Sequence, residues 1–158
     1  MKEKTLVFVK PENEDIAMNV FDCLDELLKA DSAPFARSRI NHVLSVPDAL
    51  IAEHYKNLKA FDEELFRANI AVYRTGTIFL ASYSGESIVP RVRSKIGNLD
   101  PLKSEPWTIR GRFGKDSAEE ARKKKTYCNN VIHASSDNSE AARELELWKD
   151  YLLDKSIV

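Results

Sequence analysis

The chain has few of the residues that would staple it, bind metal or anchor it in a bilayer. Its two cysteines, Cys23 and Cys128, stand far apart and outside any C-x-x-C pattern, so neither a zinc site nor a disulfide framework is indicated. No apolar run approaches the ~20 residues of a membrane span. Met1 to Lys4 lead straight into a strand-like segment, without the apolar stretch and small-residue cleavage site of a signal peptide. A cytoplasmic protein with reduced thiols and no membrane contact is therefore expected. With only five glycines, the chain contains no G-x-x-x-x-G-K-[ST] loop, no G-x-G-x-x-G fingerprint and no G-x-S-x-G elbow. No two histidines sit at metal-ligand spacing, and neither His42 nor His54 belongs to a ligand pattern, so no protein-held metal is expected. A net charge of −1 argues against nucleic acid as a partner, since proteins that track phosphate backbones carry a marked basic excess.

What remains is an ordinary globular composition, 43% apolar and 31% charged over 158 residues, enough for one domain to bury a core. Thr5 to Val9 reads as a strand buried on both faces and stopped at Pro11. Ile16, Val20, Phe21, Leu24, Leu27 and Leu28 give one apolar stripe of a helix over 14–30. Arg39 to Leu44 suggests a second strand. Ser45 and Asp48, with Pro47 in the first turn, then frame a helix start that resembles a capping box. Another short helix is expected over 62–70. A third strand is expected over 77–83, bounded by Gly76 and by Ser84-Gly85, then a helix over 86–96 with Pro90 near its start. Residues 99–107 read as a loop and 115–126 as a charged, exposed excursion. Val131 to His133 forms a short strand, and a last helix runs from Ser139 to about Leu153, with Ala142, Leu145, Leu147 and Trp148 facing inward. Four short strands with this many helices fit one sheet covered by helices, α+β or α/β.

His133, at the end of an apolar strand, could fill the core, hold a metal or attack a substrate. Strand ends are common places to present functional groups, and Ser135 and Glu144 follow closely enough to fix its ring and tautomer. Without a glycine-rich loop, phosphates would have to be held by side-chain cations, for which Lys10, Arg93 and Arg110 are candidates. The basic run Arg122 to Lys125 follows Glu119 and Glu120 at favourable i,i+4 spacing and reads as a solvated helix face.

Asn130-Val131-Ile132-His133-Ala134-Ser135, with Glu144 eleven residues after the histidine, resembles the active-site segment of nucleoside diphosphate kinases. Thr5 to Pro11, Glu53-His54-Tyr55 with Leu58-Lys59, Gly85 to Arg93, and Pro106-Trp107-Thr108-Ile109-Arg110-Gly111 extend the likeness in the family's order. The resemblance implies an α+β, ferredoxin-like βαββαβ antiparallel sheet with covering helices and an extra helical hairpin, as one domain over 1–158. It implies γ-phosphate transfer from a nucleoside triphosphate to a nucleoside diphosphate through a phosphohistidine on His133, with Glu144 and Ser135 supporting the ring. Lys10, Tyr55, Arg93, Arg110 and Asn130 would bind nucleotide, Leu65 would take the base-stacking position, and Phe66 would be core. Mg²⁺ would arrive with the nucleotide, held mainly by phosphates and water. A homo-oligomer, hexamer or tetramer, would be the assembly.

The chain departs from the family pattern at several points. Leu99 stands where a phosphate-binding threonine is usual. Leucine has no donor, and one lost bond to a charged phosphate costs roughly 1.5–3 kcal/mol. Glu12-Asn13 replace Asp-Gly after Pro11, Arg112 replaces an aspartate, and Trp107 replaces a glycine near the nucleotide-facing loop. The stretch between Arg110 and Asn130 is about ten residues longer than the motif order leads one to expect, which makes 115–128 a loop insertion. The main rival reading is a non-enzymatic nucleotide-binding or interaction protein on the same fold. A weaker one is a nucleic-acid module that uses the basic run.

Overall fold

The computed structural model describes residues 2–152. Strand β1 (Lys2–Val9) is the centre of the sheet: Leu6 and Phe8 belong to one apolar layer, Val7 and Val9 to the other, and all four are fully buried. This is the two-faced burial expected of its unbroken apolar run. Strand β4 (Thr77–Glu86) pairs antiparallel with β1 from Lys2 opposite Glu86 to Val9 opposite Phe79. On the other side of β1, a short strand, Ile132–Ala134, sets His133 opposite Phe8. The outer edge of β4 is shared by β2 (Phe35–Arg37), opposite Gly85 to Tyr83, and β3 (Asn41–Leu44), opposite Leu80 to Thr77. With Ile132–Ala134 numbered β5, the spatial order is β2/β3, β4, β1, β5, all antiparallel.

Helices α1 (Ala17–Lys29) and α5 (Ile88–Ile96) cover one face. Helices α2 (Asp48–His54), α3 (Lys56–Phe61) and α4 (Glu63–Ala71) pack on the other, together with Trp148 from just beyond α8 (Asn138–Leu147). Helices α6 (Ile109–Phe113) and α7 (Ala118–Lys124) lie between α5 and β5 in the chain. The fold is the expected α+β, ferredoxin-like sheet with an added helical hairpin, α3–α4.

Several local expectations are corrected. The second strand is two pieces, because the chain leaves the ladder at Ser38–Ile40. β4 runs through Ser84-Gly85 to Glu86; a Cβ at Gly85 would lie 2.9 Å from the Pro34 carbonyl oxygen, so the glycine allows β2 to lie close. Ser45 does not cap α2: its own φ is +53°, and Pro47 holds the N-cap position with no side-chain bond. Residues 56–61, between the two expected helices, form α3. The charged excursion is helix α7, capped by Ser117, whose hydroxyl accepts from the Glu120 N–H at 3.2 Å. In α8, Ala142 faces solvent, and Ala141 and Glu144 point inward instead. The helix ends at Leu147, and the expected terminus, Leu153, lies outside the described residues.

Gly111 fixes how α6 presents Arg110. A Cβ at Gly111 would lie 2.0 Å from the Glu105 carbonyl oxygen, because Thr108 ties that loop down by donating to Glu105 at 2.7 Å and accepting from the Gly111 N–H at 3.1 Å. In a free helix interior, glycine to alanine stabilises by about 1 kcal/mol. Here Gly111→Ala should instead destabilise by about 1–3 kcal/mol, because backbone must move. Urea denaturation checks the sign.

Candidate active site

The turn into β5 is built by two asparagines. Asn13 Nδ2 donates to Asn129 Oδ1 at 2.9 Å, and Asn129 Oδ1 also accepts from the Val131 N–H at 3.1 Å. This holds Val131 at φ +73°, a conformation costly for a β-branched residue. The Val131 carbonyl accepts from the Lys10 N–H at 2.9 Å, which joins the end of β1 to the start of β5. As a result, Lys10, Asn130 and His133 open onto one cleft of about 290 Å³.

His133 is held on several sides. Its Nε2 lies 2.9 Å from Glu144 Oε2, and the same carboxylate oxygen accepts from Ser135 Oγ at 2.7 Å. Ser135 Oγ in turn accepts from the Leu6 N–H at 3.3 Å. Phe8 stacks on the imidazole with centroids 4.8 Å apart, and His54 stands edge-on at 4.5 Å. Burial pushes the Glu144 carboxyl up, but the His133 ring and the Ser135 hydroxyl outweigh it and hold the pKa at about 2. An ionised Glu144 accepts a proton-bearing Nε2, leaving the Nδ1 lone pair of neutral His133 available. Among the described residues, no hydrogen bond engages Nδ1. Glu144 and Ser135 are buried behind the ring and do not face the cleft.

Arg110 is buried and has no carboxylate partner among the described residues. It donates to the carbonyls of Ile132 at 2.8 Å, Asn130 at 3.2 Å and Gly97 at 3.4 Å. Burial, helped by nearby Arg93, lowers its pKa to about 10. Burial, and then Arg110, also lower the Lys10 ammonium to about 7. Asn130 Nδ2 donates to the Leu99 carbonyl at 3.1 Å. Among the described residues its Oδ1 is buried without a hydrogen-bond partner, an unmet acceptor at the edge of the cleft. Among the described residues, no carboxylate lines this cleft.

The structure brings Lys10, Tyr55, Leu65, Arg110, Asn130 and His133 to one cleft and leaves Arg93 off its wall, donating to the Ala134 carbonyl at 3.4 Å. Tyr55 shares a hydroxyl bond of 2.8 Å with Tyr73, and burial pushes its pKa up. Phe66 is core, as expected, and Leu65 faces the cleft beside Leu58 and Asn69 of the hairpin. Trp107 lies away from the cleft wall, its ring under the Lys95 ammonium. The sequence reading missed the opposite wall, which α7 supplies through Ala118, Ala121 and Arg122. Its signal was present in Ser117-Ala118-Glu119-Glu120, a capping-box pattern. His54 was also missed: it is buried, desolvation drives its pKa well down, and its Nδ1 accepts from Trp148 Nε1 at 3.0 Å. His54, His133 and Glu144 cluster closely enough to suggest a metal. The donor set argues otherwise, because Trp148 occupies the free lone pair of His54 and Glu144 is already shared by two donors.

The site thus sets an imidazole, pinned through one nitrogen, beside two cations that have no carboxylate partner among the described residues, on a ferredoxin-like sheet. A family model described as nucleoside diphosphate kinase matches residues 3–151, and the chain belongs to that family. It is 31% identical over 152 residues to a nucleoside diphosphate kinase of Natronomonas pharaonis, covering 94% of this chain and 86% of the relative. It is 33% identical over 99 residues to nucleoside diphosphate kinase 2, chloroplastic, of Pisum sativum. That match covers 63% of this chain and 38% of the pea protein. The chain thus spans about four-tenths of the chloroplast relatives it matches. Among solved structures, a transition-state mimic of nucleoside-diphosphate kinase from Borrelia burgdorferi with bound vanadate and ADP superposes with a TM-score of 0.81 at 24% identity. It covers 98% of this chain and 92% of that one.

The buried Lys10 ammonium makes stability depend on pH. Its folded-state pKa of about 7 lies below the ordinary 10.5, so between these values the unfolded chain binds the extra proton and stability rises with pH. The penalty is complete below the lower value and gone above the upper one. Lys10→Met should therefore raise the melting temperature by several degrees at pH 7, with the gain shrinking toward pH 10. Melting curves at both pH values test this; a variant no more stable than wild type at pH 7 would contradict the account.

Proposed function

We propose that this protein catalyses γ-phosphoryl transfer from nucleoside triphosphates to nucleoside diphosphates, with His133 as the phosphate carrier. The observation that carries this reading is the free Nδ1 of His133 in a cleft that offers Lys10 and Arg110 but no carboxylate. Nδ1 attacks the γ-phosphorus, a P–N bond forms, and the bond to the bridging β,γ-oxygen breaks as the diphosphate leaves. A β-phosphate oxygen of the acceptor diphosphate then attacks the same phosphorus, the P–N bond breaks, and neutral His133 is restored. Glu144 keeps the Nε2 proton in place and balances the positive charge that develops on the ring. Lys10 and Arg110 hold the charge of a loose, largely dissociative transition state. Asn130 borders the same cleft and would contact the nucleotide beside Lys10.

The cleft's donors suit Mg²⁺ only as a companion of the nucleotide, because no carboxylate there could hold it. Bound in that way, the ion would neutralise phosphate charge. On the hairpin side the cleft is lined by Leu58 and Leu65, aliphatic groups that would select weakly among bases. Chain 1–158 acts as one such unit and assembles with copies of itself, as a tetramer or hexamer. Exposed apolar side chains such as Leu44 and Leu102 give support to self-association. No helix among the described residues is long and apolar enough to cross a membrane, and Cys23 and Cys128 are free thiols, in keeping with a cytoplasmic setting. A second reading, nucleotide binding without turnover, draws on Leu99, which faces the cleft without a donor.

Brief incubation with Mg²⁺ and γ-labelled ATP decides between them. Acid-labile, base-stable label should appear on the protein, leave on addition of GDP, and be absent in His133→Ala. Glu144→Ala should still take label, roughly 10²-fold more slowly. Nucleotide binding with no label on the intact protein would overturn the kinase and favour the binding protein.

A further inference from the structure

Helix α7 and the hairpin α3–α4 face each other across the cleft, and an ion pair joins them. Lys125, the left-handed residue that ends α7 at φ +53°, pairs with Asp62, whose other carboxylate oxygen caps α4 by accepting from the Leu65 N–H at 3.0 Å. Both partners are helix termini, and with the Glu119 N–H donated to Asp100 Oδ2 at 3.3 Å at the start of α7 they hold one side of the helix toward the cleft. That side carries Ala118, Ala121 and Arg122, spaced i, i+3 and i+4.

The cations of α7 have different surroundings. Lys123 pairs with Glu119 at 3.3 Å, and Lys124 borders a separate hollow with Asp116 and Glu120. Arg122 has no ion pair among the described residues, and it borders both the cleft and an adjoining hollow, as do Leu99 and Ala118. Leu99 stands close to the cationic floor: its carbonyl accepts from Asn130 Nδ2 at 3.1 Å, and the Asn130 carbonyl accepts from Arg110 Nε at 3.2 Å. An anion lying over Arg110 thus passes Leu99, which has no side-chain donor, and comes within reach of a long, unpaired guanidinium. A guanidinium presents its donors in a planar fork that matches phosphate oxygens.

We propose that Arg122 is a substrate-binding residue, a guanidinium brought by α7 onto the polyphosphate on the side where Leu99 offers no donor. The proposal rests on the kinase reading and assigns part of its substrate affinity to the inserted helix. The dissociation constant of Mg·ADP, measured by calorimetry at low and high NaCl, tests it. Arg122→Gln should bind Mg·ADP about tenfold more weakly, equivalent to about 1.4 kcal/mol. Its affinity should also respond less to salt, because one screened charge contact is gone. Arg122→Lys should recover part of the loss, Leu99→Thr should recover part of it in the Arg122→Gln background, and Lys124→Gln should match wild type. Arg122→Gln binding within twofold of wild type, or weaker binding with unaltered salt dependence, would overturn the proposal. Wild-type protein that neither binds Mg·ADP nor takes label from ATP would instead remove the kinase reading itself.

Discussion

The buried guanidinium of Arg110 organises the cleft, and it does so without an opposing carboxylate. Three backbone carbonyls, from Gly97, Asn130 and Ile132, take its protons and draw the loop after α5 and the turn before β5 onto one cation. Satisfying a charge with neutral acceptors leaves its field unneutralised. The cost, from burial first and then from the neighbouring cations, appears in the lowered pKa values of Arg110 and of Lys10 beside it. A carboxylate at this position would make the empty protein more comfortable and would repel any phosphate. The arrangement makes sense for a site whose missing negative charge is brought by the ligand.

His133 lies under a different regime. Every contact around its ring is made before a ligand arrives: Glu144 on Nε2, Phe8 on one face and His54 at its edge. Glu144 is itself fixed by Ser135, and Ser135 by the backbone of β1, so the ring is oriented by the central strand of the sheet. Orientation set in advance lowers the entropy cost of reaching a reactive geometry. The floor of the cleft is thus fixed and cationic, while one of its walls, α7, is held at its two ends, by the Glu119 N–H donated to Asp100 at 3.3 Å and by the Lys125–Asp62 ion pair.

The parts that were legible in the sequence are those governed by local periodicity and by short motifs. The apolar run of β1, the stripe of α1 and the His133 block each carry their own signal, and all lie where that signal put them. The split of the outer strand was not legible, because Ser38 to Ile40 leave the ladder for tertiary reasons that no local pattern encodes. Helix α7 lacks large apolar residues, and hydrophobic periodicity cannot find a helix that uses alanines and charge pairs; its signals are the Ser117 cap and the i,i+4 charge spacing. Arg93 shows the limit of motif transfer. Ser135, expected to support the ring, lies beneath the histidine and bonds Glu144, whereas Arg93, expected at the phosphates, donates to the Ala134 carbonyl and is off the cleft wall.

The broken outer strand has a consequence for how copies of this chain can meet. An exposed sheet edge is a template on which another strand can continue the ladder. Here that edge is two short pieces, and in the gap Ser38 folds back on β4, donating its N–H to the Ser82 carbonyl at 2.9 Å and accepting from the Ser82 N–H through its hydroxyl at 2.9 Å. The Ser38 hydroxyl thus takes the Ser82 N–H that a backbone carbonyl would accept in a continued ladder, and the strand pairing stops there. The edge is therefore interrupted, and a strand laid along it would find only three residues of β2 or four of β3 in register.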